Sequence, residues 1–247
     1  MKIFVLGAKI QKRLTQVVLN IPKKKLFLTG GSGTLGTEIK KIYPQIISPS
    51  SKECDILSLS SLQENLEVYK PDIFIHAAAF TDVKAAEKKS ITCNEINVIG
   101  TANVIKACKG KKIKLVFIST DYVFDGEKGN YKPSDPINPL SNYAKSKAAA
   151  ELLVRTYVDH LIIRTSFFGH NFPYERALID QWTTKDYVDI IAPKILKEAT
   201  SDKLGIIHVG SLRRSIYEIA KTRNSSVGKI ERKDLNVPVP KDVSLSF

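Results

Sequence analysis

The stretch Leu26-Phe27-Leu28-Thr29-Gly30-Gly31-Ser32-Gly33-Thr34-Leu35-Gly36 decides the fold. A short apolar run enters glycines spaced T-G-x-x-G-x-x-G. A strand that ends on such a turn and opens a helix brings bare backbone close to a pyrophosphate. It also offers the free N–H groups and the dipole of the helix N-terminus. Alone, the pattern is only moderately specific, since a strand-to-helix turn without a ligand also carries it, so its meaning rests on its surroundings.

Outward from this turn, strand-like and helix-like runs alternate. The strands are predicted at Lys25–Thr29, Gln45–Ile47, Asp72–Ala78, Lys114–Ser119, His160–Arg164 and Gly205–Val209. Helical periodicity falls at Leu35–Tyr43, Leu59–Tyr69, Ile96–Cys108, Asn142–Tyr157 and Arg213–Thr222. Continuous apolar strands joined by helical crossovers predict an α/β fold, a doubly wound parallel sheet of the Rossmann type covered on both faces. Three parts are expected: a basic extension over 1–24, a dinucleotide-binding domain over 25–165, and a small substrate cap over 166–247 interleaved with it.

About a hundred residues after the glycines comes Tyr143-Ala144-Lys145-Ser146-Lys147. Spacing by four puts Tyr143 and Lys147 on one helix face, with Ser141-Asn142 suited to its start. A nearby ammonium favours the phenolate, which would make Tyr143 a proton donor or acceptor at neutral pH. The run Ser119-Thr120-Asp121-Tyr122-Val123-Phe124-Asp125-Gly126 leaves the carboxyl end of a strand, where ligands of parallel sheets bind. There the Thr120 hydroxyl can hydrogen-bond a substrate carbonyl, whereas Ser119 and Asp125 can equally cap a turn.

The chain has 247 residues, 43% of them hydrophobic, enough for a substantial core. Its three cysteines, Cys54, Cys93 and Cys108, match no ligand spacing and read as reduced packing thiols, so no metal is expected. No apolar run approaches the roughly 18 residues of a membrane span, and the opening residues lack the core of a signal sequence. A cytoplasmic protein is expected. The net charge of +13 raises nucleic-acid binding. Seven cations fall within the first 25 residues and the rest are interspersed with carboxylates, so no basic, aromatic-studded stripe forms. Neither nucleic acid nor membrane is an expected partner, and the extension is expected to be dispensable for chemistry.

Beyond these single features, several blocks follow in order: Thr29–Gly36, His76–Thr81, Asn97–Asn103, Ser119–Gly126, Tyr143–Lys147 and Arg164–Phe167. Together they resemble the extended short-chain dehydrogenase/reductase superfamily, and within it the dTDP-4-dehydrorhamnose reductases. The resemblance implies NADPH- or NADH-dependent reduction of the 4-keto group of a nucleotide-linked 6-deoxy sugar, for surface polysaccharide. By it Gly30, Gly33, Thr34, Leu35 and Gly36 would hold the pyrophosphate. Asp55 and Ile56 would lie against the adenine, and Ala77, Ala78 and Ala79 along the cofactor. Thr120, Tyr143 and Lys147 would form the catalytic set, with Tyr143 and Lys147 also touching the cofactor. Thr120, Asp121, Tyr122 and Phe167 would face the sugar, Phe167 standing where relatives often carry tryptophan. Asn97 would serve a proton relay or a structural cap.

Related dehydratases carry Asp-Glu after the threonine, whereas Asp121-Tyr122 stands here, which favours simple reduction. Near Asp186, Thr183-Thr184 replaces a Gly-x-Pro-Thr turn within a shortened substrate-side region. Ser48-Pro49-Ser50-Ser51-Lys52 places no acid where an NAD-selective site holds the ribose 2′-hydroxyl, and its serines and Lys52 would help a 2′-phosphate, so NADPH is expected to bind at least as well as NADH. A nucleotide sugar is the expected partner, and a homodimer is compatible with the sequence. The alternatives are a non-catalytic NADP-binding subunit resembling the methionine adenosyltransferase beta subunit, and an epimerase of the same superfamily.

Overall fold

The computed structural model describes residues 24–235 and 239–247. The predicted extension, apart from Lys24, lies outside the described residues. Strands β1 (Leu26–Thr29), β2 (Ile73–His76), β3 (Lys114–Thr120), β4 (His160–Thr165) and β5 (Gly205–His208) form one parallel sheet in that order. Each strand alternates its side chains between two cores. Leu26, Leu28, Ile73, Ile75, Val116, Ile118, Leu161 and Ile163 face one cluster. Phe27, Phe74, Leu115, Phe117 and Ile162 face the other. Burial on both faces explains why these strands read as unbroken apolar runs.

Helices α1 (Thr34–Ile42) and α5 (Val188–Thr200) cover the first face. The second is covered by α2 (Leu59–Tyr69), α3 (Gly100–Cys108) and α4 (Asn142–Val154). Local chemistry starts these helices. Ser58 caps α2 through the Ser61 N–H, and Ser141 caps α4 through the Ala144 N–H. A last helix, α6 (Ile216–Lys221), opens on a reciprocal Ser215–Glu218 capping box and packs with Phe172, Ala177, Tyr187 and Val227 in a small separate core. All three cysteines are buried and unbridged. No helix among the described residues is long and apolar enough to cross a membrane.

The structure departs from the sequence expectations at several places. The strand expected at Gln45–Ile47 shrinks to a bridge at Ile47, which donates to the Leu26 carbonyl (2.9 Å) and accepts from the Leu28 N–H (2.8 Å). Pro44 and Pro49 flank it and cannot donate to a ladder. Even so, Ile47 and β2 lie on opposite sides of β1, which makes the carboxyl end of β1 a point where the chain order reverses and a crevice opens. The helix expected at Ile96–Cys108 begins as a π-turn over Glu95–Ile99 before α3. The helix expected to reach Tyr157 stops at Val154, and that expected from Arg213 starts at Ile216, because Arg214–Ser215 pairs with Trp182–Thr183. Helix α5 has no counterpart among the expected helices; Pro193 inside it breaks the sequence signal while its apolar face keeps it packed.

Two buried polar assemblies tie the strand ends together. Thr29 Oγ1 lies 2.8 Å from His76 Nδ1, and His76 Nε2 lies 3.1 Å from Thr101 Oγ1. Thr101 donates its only hydroxyl proton to the Asn97 carbonyl at 2.6 Å, so His76 Nε2 must be the donor and Nδ1 the acceptor. Burial, with the Lys147 charge adding to it, lowers the His76 pKa to about 3 and keeps the ring neutral. The second assembly joins α4 to β3 and β4. Arg164 and Glu151, 3% and 1% exposed, form a forked pair with Nε at 3.0 Å from Oε1 and Nη2 at 2.8 Å from Oε2. Ser119 Oγ donates to the same carboxylate at 2.5 Å, and Arg164 Nη1 donates to the Pro133 carbonyl at 3.2 Å.

Candidate active site

Four parallel strands end along one edge, and the residues that follow them line a single cleft of about 960 Å³. From β1 come Thr29 to Gly36, from β2 Ala77, Ala78 and Ala79, from β3 Thr120 and Tyr122, and from β4 Ser166 and Phe167. Asp55 and Ile56 line the end beside Ser48–Ser51, and α4 contributes Tyr143 and Lys147. The cleft therefore brings together all but one of the residues expected to hold the pyrophosphate, the adenine, the nicotinamide side or the sugar. The exception is Asp121, which is 1% exposed and lies behind the cleft wall. The 3₁₀ turn Asp121–Val123 points Tyr122 outward and Asp121 inward, where its Oδ1 accepts from Thr120 Oγ1 at 3.2 Å.

At the β1 end the backbone leaves no room for side chains. Gly30 has φ +79°, and a Cβ there would fall 2.6 Å from the Ala78 nitrogen. One on Gly36 would fall 2.2 Å from the Gly30 carbonyl oxygen. Helix α1 has Gly33 at its N-cap, with no side-chain cap and no acid in its first turn, which leaves its N–H groups and dipole directed at the cleft. Beside them Ser48 Oγ is buried with no hydrogen-bond partner. A Cβ on Gly31 would meet that oxygen and, at 3.9 Å, the stem of Lys40. Lys52, the cation expected to help a 2′-phosphate, does not line the cleft, whereas Lys40 does. Successive helical turns stack Lys40 over the glycine loop, a placement that local sequence around Ser48 does not reveal.

At the other end Thr120 takes a role that the sequence reading did not give it. Its Oγ1 accepts from the Tyr122 N–H at 3.1 Å, capping the turn, and it still lines the cleft. Tyr143 is pushed well above the ordinary phenol range, first by burial and then by the nearby Asp121 charge, with only the Thr120 hydroxyl beside it working the other way. This reverses the expected lowering by Lys147. The ammonium donates instead to the Ile118 carbonyl at 2.8 Å and sits over the Phe117 ring. Lys147 is only 3% exposed; burial lowers its pKa to about 7, against the raising effect of Glu151. Tyr143 is thus a protonated phenol at neutral pH, a donor rather than a base.

Asn97, in the π-turn, does not line the cleft. Its Nδ2 donates to Ser146 Oγ at 2.8 Å and to the Phe80 carbonyl at 3.1 Å, while its Oδ1 accepts from the Phe80 N–H at 2.8 Å. It fastens the loop after β2 to α4. The extra residue of a π-turn is what aims such a side chain. Lys185, like Lys40, is a cleft residue missed from sequence. Lys185 comes from a segment without helical or strand periodicity, more than 60 residues from Tyr122, whose ring it overlies at 5.6 Å.

The family model described as the RmlD substrate binding domain matches residues 24–222. A dTDP-4-dehydrorhamnose reductase of Aggregatibacter actinomycetemcomitans is 32% identical over 182 residues, covering 69% of this chain and 61% of the relative. The chain thus spans about three fifths of that relative's length. The spore coat polysaccharide biosynthesis protein SpsK of Bacillus subtilis is 34% identical over 209 residues, covering 76% of this chain and 73% of its own. Among solved structures, the dTDP-4-dehydrorhamnose reductase of Bacillus anthracis in complex with NADP superposes with a TM-score of 0.81 at 28% identity, covering 91% of this chain and 90% of that one. A match from Lys24 to Thr222 takes in the glycine loop, the Thr120 turn and the Tyr143–Lys147 helix, and the chain belongs to the RmlD substrate binding domain family.

Proposed function

We propose that this protein reduces the 4-keto group of a nucleotide-activated 6-deoxy sugar with NADPH, in the assembly of deoxysugars for surface polysaccharide. The observation that carries this is the sharing of one cleft by a side-chain-free anion cradle and by Thr120, Tyr143 and Lys147. The cradle fits an adenine dinucleotide: Gly30 and Gly36 exclude side chains, the α1 N-terminus is uncapped, and the orphaned Ser48 Oγ lacks the partner that a 2′-phosphate would supply. Gly30 to Gly36 would hold the pyrophosphate, Asp55 and Ile56 the adenine, Ser48 and Lys40 the 2′-phosphate, and Lys147 the nicotinamide ribose. When bound, the cofactor supplies hydride for the carbonyl carbon.

The protein's own work is positioning and proton supply. Thr120 Oγ1, turning its one proton away from Asp121, donates a hydrogen bond to the substrate carbonyl oxygen, polarising it. Tyr143 Oη gives that oxygen its proton, which burial keeps on the phenol until it is needed. The charge then left on Tyr143 is offset by the Lys147 ammonium on the same helix face. Asn97 holds the loop after β2 against α4 and so keeps Tyr143 in register. The test is to mix the protein with NADPH and a dTDP-linked 4-keto-6-deoxy sugar and follow the nicotinamide absorbance. A loss that requires both reagents is expected; no loss with the cofactor bound would overturn the proposal.

Cofactor choice gives a second expected result. Lys40→Glu should weaken NADPH binding about tenfold or more, the scale of a charge-assisted phosphate contact, while NADH binding stays within about twofold. Calorimetric titration of both cofactors checks it. Equal losses for the two would mean that Lys40 does not face a 2′-phosphate.

A further inference from the structure

Among the described residues three lysines line the cleft: Lys40 beside the glycine loop, Lys147 on α4, and Lys185. The function proposed above leaves Lys185 without a role. Its segment is fixed in place on both sides. Thr183 Oγ1 accepts the Lys185 N–H at 3.0 Å, and the Asp186 carboxylate accepts from Arg214 Nη2 at 2.5 Å and from the Tyr187 N–H at 2.9 Å. Thr183, Thr184 and Asp186 are buried, so the side chain of Lys185 is the part of this turn that reaches the cleft. The ammonium lies 4.7 Å from the centre of the Phe168 ring and 5.6 Å from that of Tyr122.

No carboxylate of the described residues stands within ion-pair distance of it, although, against burial, Tyr122 and the Asp121 carboxyl hold the ammonium in its charged form. Lys185 forms no ion pair among the described residues. The two acids that line the cleft, Glu53 and Asp55, belong to the loop beside Ser48–Ser51, away from the Thr120 turn. Asp121 lies behind Tyr122, and its Oδ2 is buried without a partner. Burial pushes the Asp121 carboxyl up toward its neutral form, against the opposing effect of Lys185. An ammonium walled by aromatic rings, held charged by Tyr122 and Asp121 but with no carboxylate of the described residues in ion-pair contact, is an arrangement that an anionic ligand group would complete.

We propose that Lys185 is a specificity-determining residue that binds an oxyanion of the substrate, a phosphate or a carboxylate, at the Tyr122 and Phe168 end of the cleft. This rests on the reductase proposal only for placing the sugar at that end, and it narrows the substrate to one carrying negative charge close to the reduced ring. Two sources offer that chemistry: the diphosphate joining sugar to nucleoside, or a carboxylate on the ring itself. Aromatic walls favour the cation electrostatically and exclude water that would screen it, so an uncharged isostere would lose most of the attraction.

The experiment titrates wild type, Lys185→Met and Lys185→Arg with dTDP, with glucuronate and with uncharged thymidine, each with and without saturating NADP⁺. Melting temperatures confirm that the variants are folded. Wild type is expected to bind one of the two anions, Lys185→Met to bind it at least about tenfold more weakly, and Lys185→Arg to recover most of the loss, with thymidine unchanged throughout. Binding of dTDP identifies the diphosphate as the group held, and binding of glucuronate identifies a ring carboxylate. Neither anion binding to wild type, or both binding equally well to Lys185→Met, overturns the proposal. A protein that binds the anion through Lys185 yet never consumes NADPH would instead overturn the reductase proposal alone.

Discussion

Tyr143→Phe is expected to lower the rate of sugar reduction by about 10² to 10⁴-fold, the usual worth of a general acid, while NADPH binds as tightly as before. The substitution removes only Oη, and the half-buried ring keeps its place at the start of α4. Because burial holds the phenol protonated, Tyr143 itself imposes no alkaline limit in the neutral range. The alkaline limb should belong to Lys147. With a pKa lowered by burial to about 7, it sheds its charge as pH rises through that value. It then no longer offsets the phenolate, so kcat/KM is expected to decline above about pH 7. Steady-state kinetics across pH on wild type and both variants, Tyr143→Phe and Lys147→Met, check this. A Tyr143→Phe enzyme at wild-type rate would remove Tyr143 from the chemistry, and a limb surviving in Lys147→Met would belong to another group.

The largest effect on stability is expected at Glu151. This carboxylate receives Arg164 twice and Ser119 once, all out of water, and Arg164 adds stacking at 5.0 Å over the Phe124 ring. Removing one partner of such a pair leaves the other charge buried and unpaired, at a cost of about 3–5 kcal/mol. Glu151→Ala should lose that much in urea-induced unfolding, whereas the double replacement Glu151→Leu with Arg164→Met should recover most of it. Equal stability of wild type and Glu151→Ala would mean that Arg164 finds water or another acceptor. The pair sits where β3 and β4 deliver Thr120 and Thr165 to the cleft, so it also fixes the geometry on which catalysis depends.

Much of this architecture is legible before any coordinates. Leu26 to Gly36 specifies strand, turn and helix through residue types that each act locally: apolar β-formers, then glycines where Gly30 needs positive φ and Gly36 needs contact with the backbone. Tyr143 and Lys147 are legible because a helix of period 3.6 brings positions four apart to one side. What escaped depends on long-range contacts. Helix α5 forms despite Pro193 because Ile191, Ala192, Ile195 and Leu196 pack against β1, β2 and α1. The π-turn at Glu95–Ile99 keeps the apolar pattern of an ordinary helix, and only the bonds of Asn97 to Phe80 and Ser146 give it away. Asp121 and Tyr122 are adjacent in sequence, yet a single 3₁₀ turn sends one behind the wall and one into the cleft. The substitution of Lys40 for Lys52 at the adenosine end, and the arrival of Lys185 at the sugar end, follow from helix stacking and chain return rather than from any neighbouring motif.

The central claim is that the cleft carries out reduction instead of merely holding a dinucleotide, as a regulatory subunit would. Its most direct test is to run the reaction with NADPH deuterated at the transferable C4 position and to analyse the sugar by mass spectrometry and NMR. The account predicts one deuterium at C4 of the sugar in the wild-type product, with the same label appearing about 10² to 10⁴-fold more slowly with Tyr143→Phe. An unlabelled, unreduced sugar recovered from wild-type protein saturated with the cofactor would contradict it.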